Sequence, residues 1–347
     1  MDLVFGPVPS RRLGRSLGIN HIRPKVCTYS CVYCQLGRTL EMAGQRQRFY
    51  RPEQVVQAAS EAVADLRRRG DRVDYLTLVP DGEPTLDVNL GREIACLKQL
   101  GIPVAVISNA SLVDRPDVRA DLAQADWVSL KVDAARQSVW RRVNRPHREI
   151  SLAAVRAGMV EFAREFSGTL TTETMLVGGV NDGPEELAAV ADFLAAVRPA
   201  VAYLAVPTRP PAESWVEPPQ EEAVAAAYQA VSEHLPRVEL LIGYEGDAFA
   251  ASGDAAHDLL SITAVHPMRE QAVKEVLARD AAEWDVVRRL VACGQLVELS
   301  YRGSKYYLRR LGRGGSREPR LRLEGGTTDV QRWRRWRPPG PNQAGAG

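Results

Sequence analysis

The sequence predicts an α/β protein: a partial, open barrel of six strand-helix units, followed by a smaller winged-helix-like domain. Three observations lead there. Between Ser16 and Val206 short apolar runs alternate with longer amphipathic ones, the pattern of repeated strand-helix units on a parallel sheet. Six such units are too few to close an eight-stranded barrel. After Gly243 the period changes, giving three short helices and then two alternating strands around a tight turn, the order of a winged helix.

The strands are expected at residues 16–22, 75–79, 104–107, 127–132, 170–177 and 201–206. The first helix shows its limits most plainly. Pro52 opens it, where a missing N–H costs nothing; Val55, Val56, Ala59, Val63 and Leu66 recur at helical spacing; Gly70 stops it. Comparable helices are expected at 88–100, 151–166, 184–197 and 220–235. In sheets of this kind ligands bind at the carboxyl ends of the strands. Functional motifs should therefore fall just after strands. In the second domain, helices at 259–265, 269–277 and 283–292 precede strands at 295–301 and 305–308, joined by Arg302-Gly303-Ser304. The domains expected are a barrel over residues 1–245, a winged-helix-like domain over 257–311, and a basic, disordered tail over 312–347, where Gly, Pro and Arg abound without period.

Composition bounds the function. The chain has 347 residues, long enough for about two domains, and 45% apolar with 25% charged residues excludes wholesale disorder. The net charge of +2 hides an asymmetry: from Arg309 onward there are ten Arg and three acids, net +7, which leaves the first 308 residues at −5. The amino terminus has no apolar core of a secretory signal. The most apolar stretch, 187–206, is broken by Asp192, Arg198 and Pro199, too polar to span a bilayer. A soluble, cytoplasmic protein without membrane contact is expected.

Five cysteines, an odd number with three inside eight residues, do not make a disulfide ladder. Cys27-Thr28-Tyr29-Ser30-Cys31-Val32-Tyr33-Cys34 follows the first strand, where a site loop belongs. Four thiolates close a 4Fe-4S cluster, whereas three leave one iron open to a cofactor or substrate. Zinc, with His21 as fourth ligand, is the alternative, although structural zinc usually takes its ligands as two separated pairs. Cys96, inside a periodic helix, and Cys293, at a helix end, read as structural thiols.

The C-x3-C-x2-C spacing, with Tyr33 directly before the third cysteine and a strand-helix repeat around it, resembles the signature of the radical S-adenosylmethionine (SAM) superfamily. The resemblance implies that Cys27, Cys31 and Cys34 hold a 4Fe-4S cluster whose fourth iron is chelated by the amino and carboxylate groups of SAM. One electron entering the sulfonium would then release methionine and a 5′-deoxyadenosyl radical that abstracts hydrogen from the substrate. It also implies an external one-electron donor, a flavodoxin or ferredoxin, since no segment here resembles either. Asp81-Gly82-Glu83-Pro84 resembles the family's Gly-Gly-Glu-Pro motif, which receives the SAM ammonium, with Asp81 in place of the first Gly. Tyr33, Gly82, Glu83 and Pro84 are thus cofactor-binding candidates, joined by Ser108 and Asn109 near the ribose, Lys131 for the SAM carboxylate, and Ser129 for carboxylate or ribose. Ser129, Lys131 and Asp133 alternate along one strand end and so point to one side. Asp133 and, on the fifth strand, Glu173 are catalytic or substrate candidates. Each of these also has a plain structural reading as a polar strand-end or turn residue.

Four further segments are similar to wyosine-synthase-like radical SAM proteins (Fe-S oxidoreductases of tRNA modification): residues 5–14, Cys34-Gln35-Leu36-Gly37, Val143-Asn144-Arg145-Pro146-His147 and Arg209-Pro210-Pro211. That likeness implies Arg11, Arg12, Arg145, His147 and Arg209 for the substrate side. One departure matters. The chain lacks the cysteines of the second cluster that wyosine synthases carry, so synthesis of the wyosine ring is not expected. Three functions stay open: a radical SAM enzyme acting on RNA or tRNA, one acting on a peptide, protein or small molecule, and a non-catalytic metal-binding regulator built on the winged helix. The third helix, with two acids and two bases in 283–289, is less basic than a DNA-reading helix. Basic residues gather instead at Arg302, Lys305, Arg309 and Arg310 and in Arg332-Trp333-Arg334-Arg335-Trp336-Arg337, where phosphate contacts and stacking would suit RNA.

Overall fold

The computed structural model describes residues 3–242 and 253–310. Its main sheet contains β1 (Val4–Ser10), β2 (Gly14–Ile19), β5 (Tyr75–Leu78), β6 (Val104–Ser108), β7 (Trp127–Lys131), β8 (Thr169–Met175), β9 (Val201–Ala205) and β10 (Val238–Leu241), in that spatial order. From β2 to β10 every neighbouring pair is parallel, and only β1 runs antiparallel, against β2. A two-stranded ribbon of β3 (Val26–Cys27) and β4 (Glu41–Met42) stands apart and carries the first cysteine.

Alternation along these strands builds two apolar layers. Leu17, Ile19, Leu76, Leu78, Val106 and Leu130 face outward into the main core, against the helices. Their neighbours face inward, where Ala105, Trp127, Val201 and Tyr203 cluster with Leu13. Leu13 precedes β2, while Val201 and Tyr203 lie on β9 near the other end of the sheet. Their contact means that the sheet curls around them into a partial barrel.

The outer layer consists of α1 (Pro52–Arg68), α2 (Leu90–Lys98), α3 (Pro116–Leu122), α4 (Gln137–Asn144), α5 (Leu152–Glu165), α6 (Pro184–Val197) and α7 (Glu221–Ser232). In α1, Val55, Ala59, Val63 and Leu66 are buried, the stripe that the spacing predicted. All six expected inner strands form. The structure adds β1 and β10 at the two edges and α3 and α4 between β6 and α5, so the sheet has eight strands where the repeat suggested six.

The C-terminal elements are α8 (Ala255–Val265), β11 (Met268–Arg269), α9 (Glu270–Arg279), α10 (Asp285–Ala292), β12 (Leu296–Tyr301) and β13 (Ser304–Arg309), with the three strands in the order β11-β13-β12. Three helices and a hairpin around a core of Leu259, Met268, Val276, Leu296 and Tyr307 have the layout of a winged helix. This unit lies against both ends of the curled sheet. Ala264 packs on Phe5 of β1, and the Tyr306 hydroxyl donates to the Thr208 carbonyl just after β9 at 2.9 Å. The tail expected at 312–347 lies outside the described residues. Among those described, no helix is long and apolar enough to cross a membrane.

Candidate active site

The cysteine loop leaves the sheet because the chain is pulled aside after β2. The Asn20 side chain caps the Asp81 amide at 3.1 Å, and the Lys25 amide bonds the Asp81 carbonyl at 2.6 Å. The loop is thereby laced to the loop after β5. Gly82 is where the two come closest: a Cβ there would lie 1.8 Å from the Val26 carbonyl oxygen, so no other residue fits. Glu83 follows, its amide on that same carbonyl at 3.2 Å.

Glu83 is buried and saturated. Its Oε1 accepts from the Thr85 amide (3.0 Å), the Thr85 hydroxyl (2.6 Å) and the Ser108 hydroxyl (2.6 Å), and its Oε2 from the Asn109 amide at 2.7 Å. Burial raises its carboxyl against the pull of those donors. Asp81, in the position of the missing glycine, is also buried, but neither carboxylate oxygen has a hydrogen-bond partner among the described residues. Burial lifts it to about 7, opposed by the charges of Lys25 and Arg309. His21 is buried beside the same loop, with Nε2 3.3 Å from the Pro84 carbonyl, and burial lowers it to about 4.

Each of the three cysteine sulfurs has its own donor. Asn109 Nδ2 lies 3.6 Å from Cys27 Sγ, Asn144 Nδ2 3.5 Å from Cys31 Sγ, and Lys25 Nζ 3.8 Å from Cys34 Sγ. The donors come from the ends of β6 and α4 and from the loop itself. Burial pushes the Cys27 thiol up to about 12, reinforced by the Glu83 charge, and Cys31 rises for the same reason, next to Asp133. Bare thiols here stay neutral, so a bound cationic metal is what would draw out the thiolates that these donors suit. Three half-buried thiols in one short loop, each met by an N–H group, fit an iron-sulfur cluster with one iron left open.

Inward from this loop runs a chain of buried charges. The Tyr33 hydroxyl donates to Asp133, and Asn144 Nδ2 donates to the same oxygen at 2.6 Å. The other Asp133 oxygen accepts from the Met175 amide at 2.9 Å. Burial raises Asp133 despite the nearby Lys131 charge. Lys131 lies 5.4 Å over the Tyr33 ring and pairs with Glu173, its register partner on β8. Arg12, reaching in from the turn between β1 and β2, holds the second Glu173 oxygen. Burial alone would raise Glu173, but the Arg12 and Lys131 charges override it and hold the carboxyl at about 2. Ser129 is buried one alternation below Lys131, opposite Thr171.

The remaining candidates sit elsewhere. Arg145 pairs with Glu213, which also takes a bidentate pair from Arg38 at 2.9 Å. His147 braces the cysteine loop through its amide, 2.8 Å from the Thr28 carbonyl. Arg209 joins Gln35, beside Cys34, to His266 of the C-terminal unit, at 3.0 Å on each side. Arg11 is solvent-facing, 3.5 Å from the Leu240 carbonyl. Thus Tyr33, Lys131, Asp133, Glu173 and Arg12 come together in one network and Gly82, Glu83, Ser108 and Asn109 in another, while Arg11, Arg145, His147 and Arg209 stand outside both. Sequence reasoning passed over Lys25, Asn144 and Glu213. For Lys25 the signal was a cation two residues before the first cysteine.

Residues 22–194 match the model of the radical SAM superfamily. A UPF0026 protein of Methanocaldococcus jannaschii is 41% identical over 313 residues, spanning 90% of this chain and 97% of that protein. The chain is a radical SAM protein of the UPF0026 family. A UPF0026 protein of Synechocystis is 35% identical over 209 residues, 60% of this chain and 76% of its own. Among solved structures, TYW1 with a lysine-pyruvate adduct bound is 16% identical, covering 64% of this chain and 74% of that one with a TM-score of 0.49. The protein is accordingly an enzyme, and its cofactors are those of the superfamily, a 4Fe-4S cluster and SAM. Radical SAM chemistry requires a substrate and a source of electrons.

Proposed function

We propose that Cys27, Cys31 and Cys34 hold the cluster of this enzyme, that the loop of Gly82, Glu83 and Pro84 with Ser108, Asn109, Ser129 and Lys131 receives SAM, and that the substrate is an RNA. The observation that carries the cluster assignment is the pairing of each thiol with a separate N–H donor. When bound, cluster and SAM supply a one-electron cleavage that yields a hydrogen-abstracting 5′-deoxyadenosyl radical.

The chain's own residues prepare that chemistry. Glu83, fixed by four hydrogen bonds, is a stationary negative pole for the SAM ammonium. Lys131, held against Glu173, is a cation ready to share with a carboxylate. Arg12, Asp133 and Glu173 line the barrel interior and orient the substrate, with Tyr33 closing the lumen beneath the cysteine loop. The C-terminal unit supports the RNA reading. It grips the loop after β9 through Tyr301 and Tyr306, whose hydroxyls lie 3.4 and 2.9 Å from the Pro207 and Thr208 carbonyls, and it begins the basic end of the chain. In this reading residues 1–245 are the catalytic barrel and 257–311 present the substrate to it. The compartment in this reading is the reducing cytoplasm, which five free cysteines support.

Anaerobic reconstitution with iron and sulfide tests the first part. A brown protein that forms 5′-deoxyadenosine from SAM on addition of dithionite is expected, and a colourless zinc protein would overturn the assignment. For the substrate, RNA affinity should fall steeply with salt; failure to bind RNA at low salt removes RNA from the proposal.

A further inference from the structure

The outer face of α4 and the loop after it has a charge pattern that the chemistry inside the barrel does not use. Residues 136–148 contain five Arg, one His and no acid. Arg136 is taken by Glu185 and Glu186, and Arg145 by Glu213. Arg141, Arg142 and Arg148 are exposed, and among the described residues they have no ion-pair partner. On the inner side of the same helix Trp140, Val143 and Asn144 are buried, and from there the chain supports the cysteine loop. The Ser30 amide bonds the Asn144 carbonyl at 3.0 Å and the Val32 amide the Val143 carbonyl at 2.9 Å. Asn144 itself reaches Cys31 Sγ. One short segment therefore touches a thiol on one side and presents free arginines to solvent on the other.

Beside it lies an apolar patch left exposed among the described residues. Leu40 is 68% exposed and Met42 38%, both on or beside β4, whose partner strand β3 ends in Cys27. The next residue, Ala43, bonds the Cys27 carbonyl at 3.0 Å. Gln45 reaches Glu149 at 3.4 Å, which joins this ribbon to the arginine segment. The acids nearby are engaged, Glu41 by Arg23 and Glu149 by Gln45 and His147.

We propose that this face, Leu40 and Met42 on the ribbon with Arg141, Arg142 and Arg148 on the adjoining segment, is where an acidic one-electron carrier protein docks to reduce the cluster. The proposal rests on the cysteine assignment above. A small apolar centre with a charged rim suits a brief redox encounter, which needs little area, and uncompensated arginines select a partner of opposite sign and speed its approach. The position favours an electron carrier over a polyanionic substrate. An electron has only to reach the thiols, which this segment touches, whereas an RNA must deliver its reacting atom into the barrel. The carrier is oxidised by one electron and the cluster is reduced by one, and no covalent bond forms or breaks.

The test uses the reconstituted full-length enzyme with Arg141→Glu, Arg142→Glu and Arg148→Glu combined. Flavodoxin hydroquinone is the probe, photoreduced 5-deazaflavin the small reductant, and a tRNA mixture the competing ligand. At low ionic strength the variant should bind flavodoxin about tenfold or more weakly and be reduced by it slower to a similar degree, with a flatter salt dependence. Iron content and the rate with photoreduced deazaflavin should match the wild type. An unchanged flavodoxin affinity and rate, with the cluster present, overturns the docking surface alone. So does a loss confined to tRNA binding, which would assign the face to nucleic acid. A wild-type protein that takes up no cluster overturns the cysteine assignment instead. If deazaflavin reduction falls equally, the arginines act on the cluster itself and the docking role is refuted; Arg164→Glu, a charge reversal at the exposed end of α5, should leave every reading unchanged.

Discussion

Toward the barrel interior the cysteine loop meets charges that are buried and paired, while the segment that supports it from outside carries arginines that are exposed and, among the described residues, unpaired. On the inner side Glu173, with 7% of its side chain exposed, serves two cations, and Tyr33 and Asn144 share Asp133. On the outer side Arg141, Arg142 and Arg148 stand in water. The contrast separates two uses of charge. A buried ion whose partner is removed keeps its desolvation cost without compensation, so the inner network fixes geometry and resists change. Exposed ions contribute little to stability but act at a distance on whatever approaches. The cysteine loop lies between the two, and Asn144 touches both it and the inner network.

The sharpest break would come at the loop itself. Cys27→Ala, Cys31→Ala or Cys34→Ala should each abolish the bound cluster and SAM cleavage, whereas Cys96→Ala and Cys293→Ala should leave iron content and visible absorbance unchanged. Loss of the cluster on Cys96→Ala would show that the ligand set is wrong. Next in size is Glu173→Gln, which leaves Arg12 and Lys131 buried without their counter-ion. We expect a loss of about 3–5 kcal/mol in urea unfolding. The wild-type carboxyl sits at about 2 against an ordinary 4.5. Its ion pairs therefore stabilise fully above pH 4.5, and that contribution is lost as pH falls toward 2. In the variant this part of the acid limb should be missing; an unchanged limb would mean that Glu173 is not the group responsible.

Much of this arrangement was visible in the sequence, for reasons that also explain what was not. The six inner strands are covered by helices and read as apolar runs. β1 escaped because Pro7 and Pro9 interrupt it, which an edge strand tolerates, and β10 because its four residues are only half-buried. α4 is eight residues with three buried, too few for a period to emerge. In the site, Cys27, Cys31 and Cys34 were legible by spacing and Gly82 by its turn, since both are local patterns. Asn144 was not, because its sulfur partner is 113 residues away, and a lone asparagine at a helix end has an ordinary capping explanation.

Asn144 tests the hinge between the two faces. Asn144→Ala removes a donor from both Asp133 and Cys31, while Tyr33 and the Met175 amide still hold Asp133. The expected loss of stability is about 1–2 kcal/mol, smaller than for Glu173. In a spectroelectrochemical titration the cluster potential should move to more negative values, because a thiolate without its N–H donor favours the oxidised, less negative cluster. An unmoved potential would mean that Asn144 supports only the loop.

The smallest effect is expected outside. Replacing Arg141, Arg142 and Arg148 with Ser one at a time should change unfolding free energy by no more than about 0.5 kcal/mol each. Among the described residues these side chains have neither an ion pair nor a buried guanidinium to lose, and α4 is anchored by Trp140 against Tyr29, with ring centroids 5.8 Å apart. The measurement matters because it could erase the contrast from the other side. A loss above about 1 kcal/mol at any of the three would make that arginine part of the packing that supports the cysteine loop, and its charge would then be a by-product of structure. Neutral stability alongside slower reduction by an acidic carrier would mean instead that the outer charge is spent on encounter, while the inner charge is spent on shape.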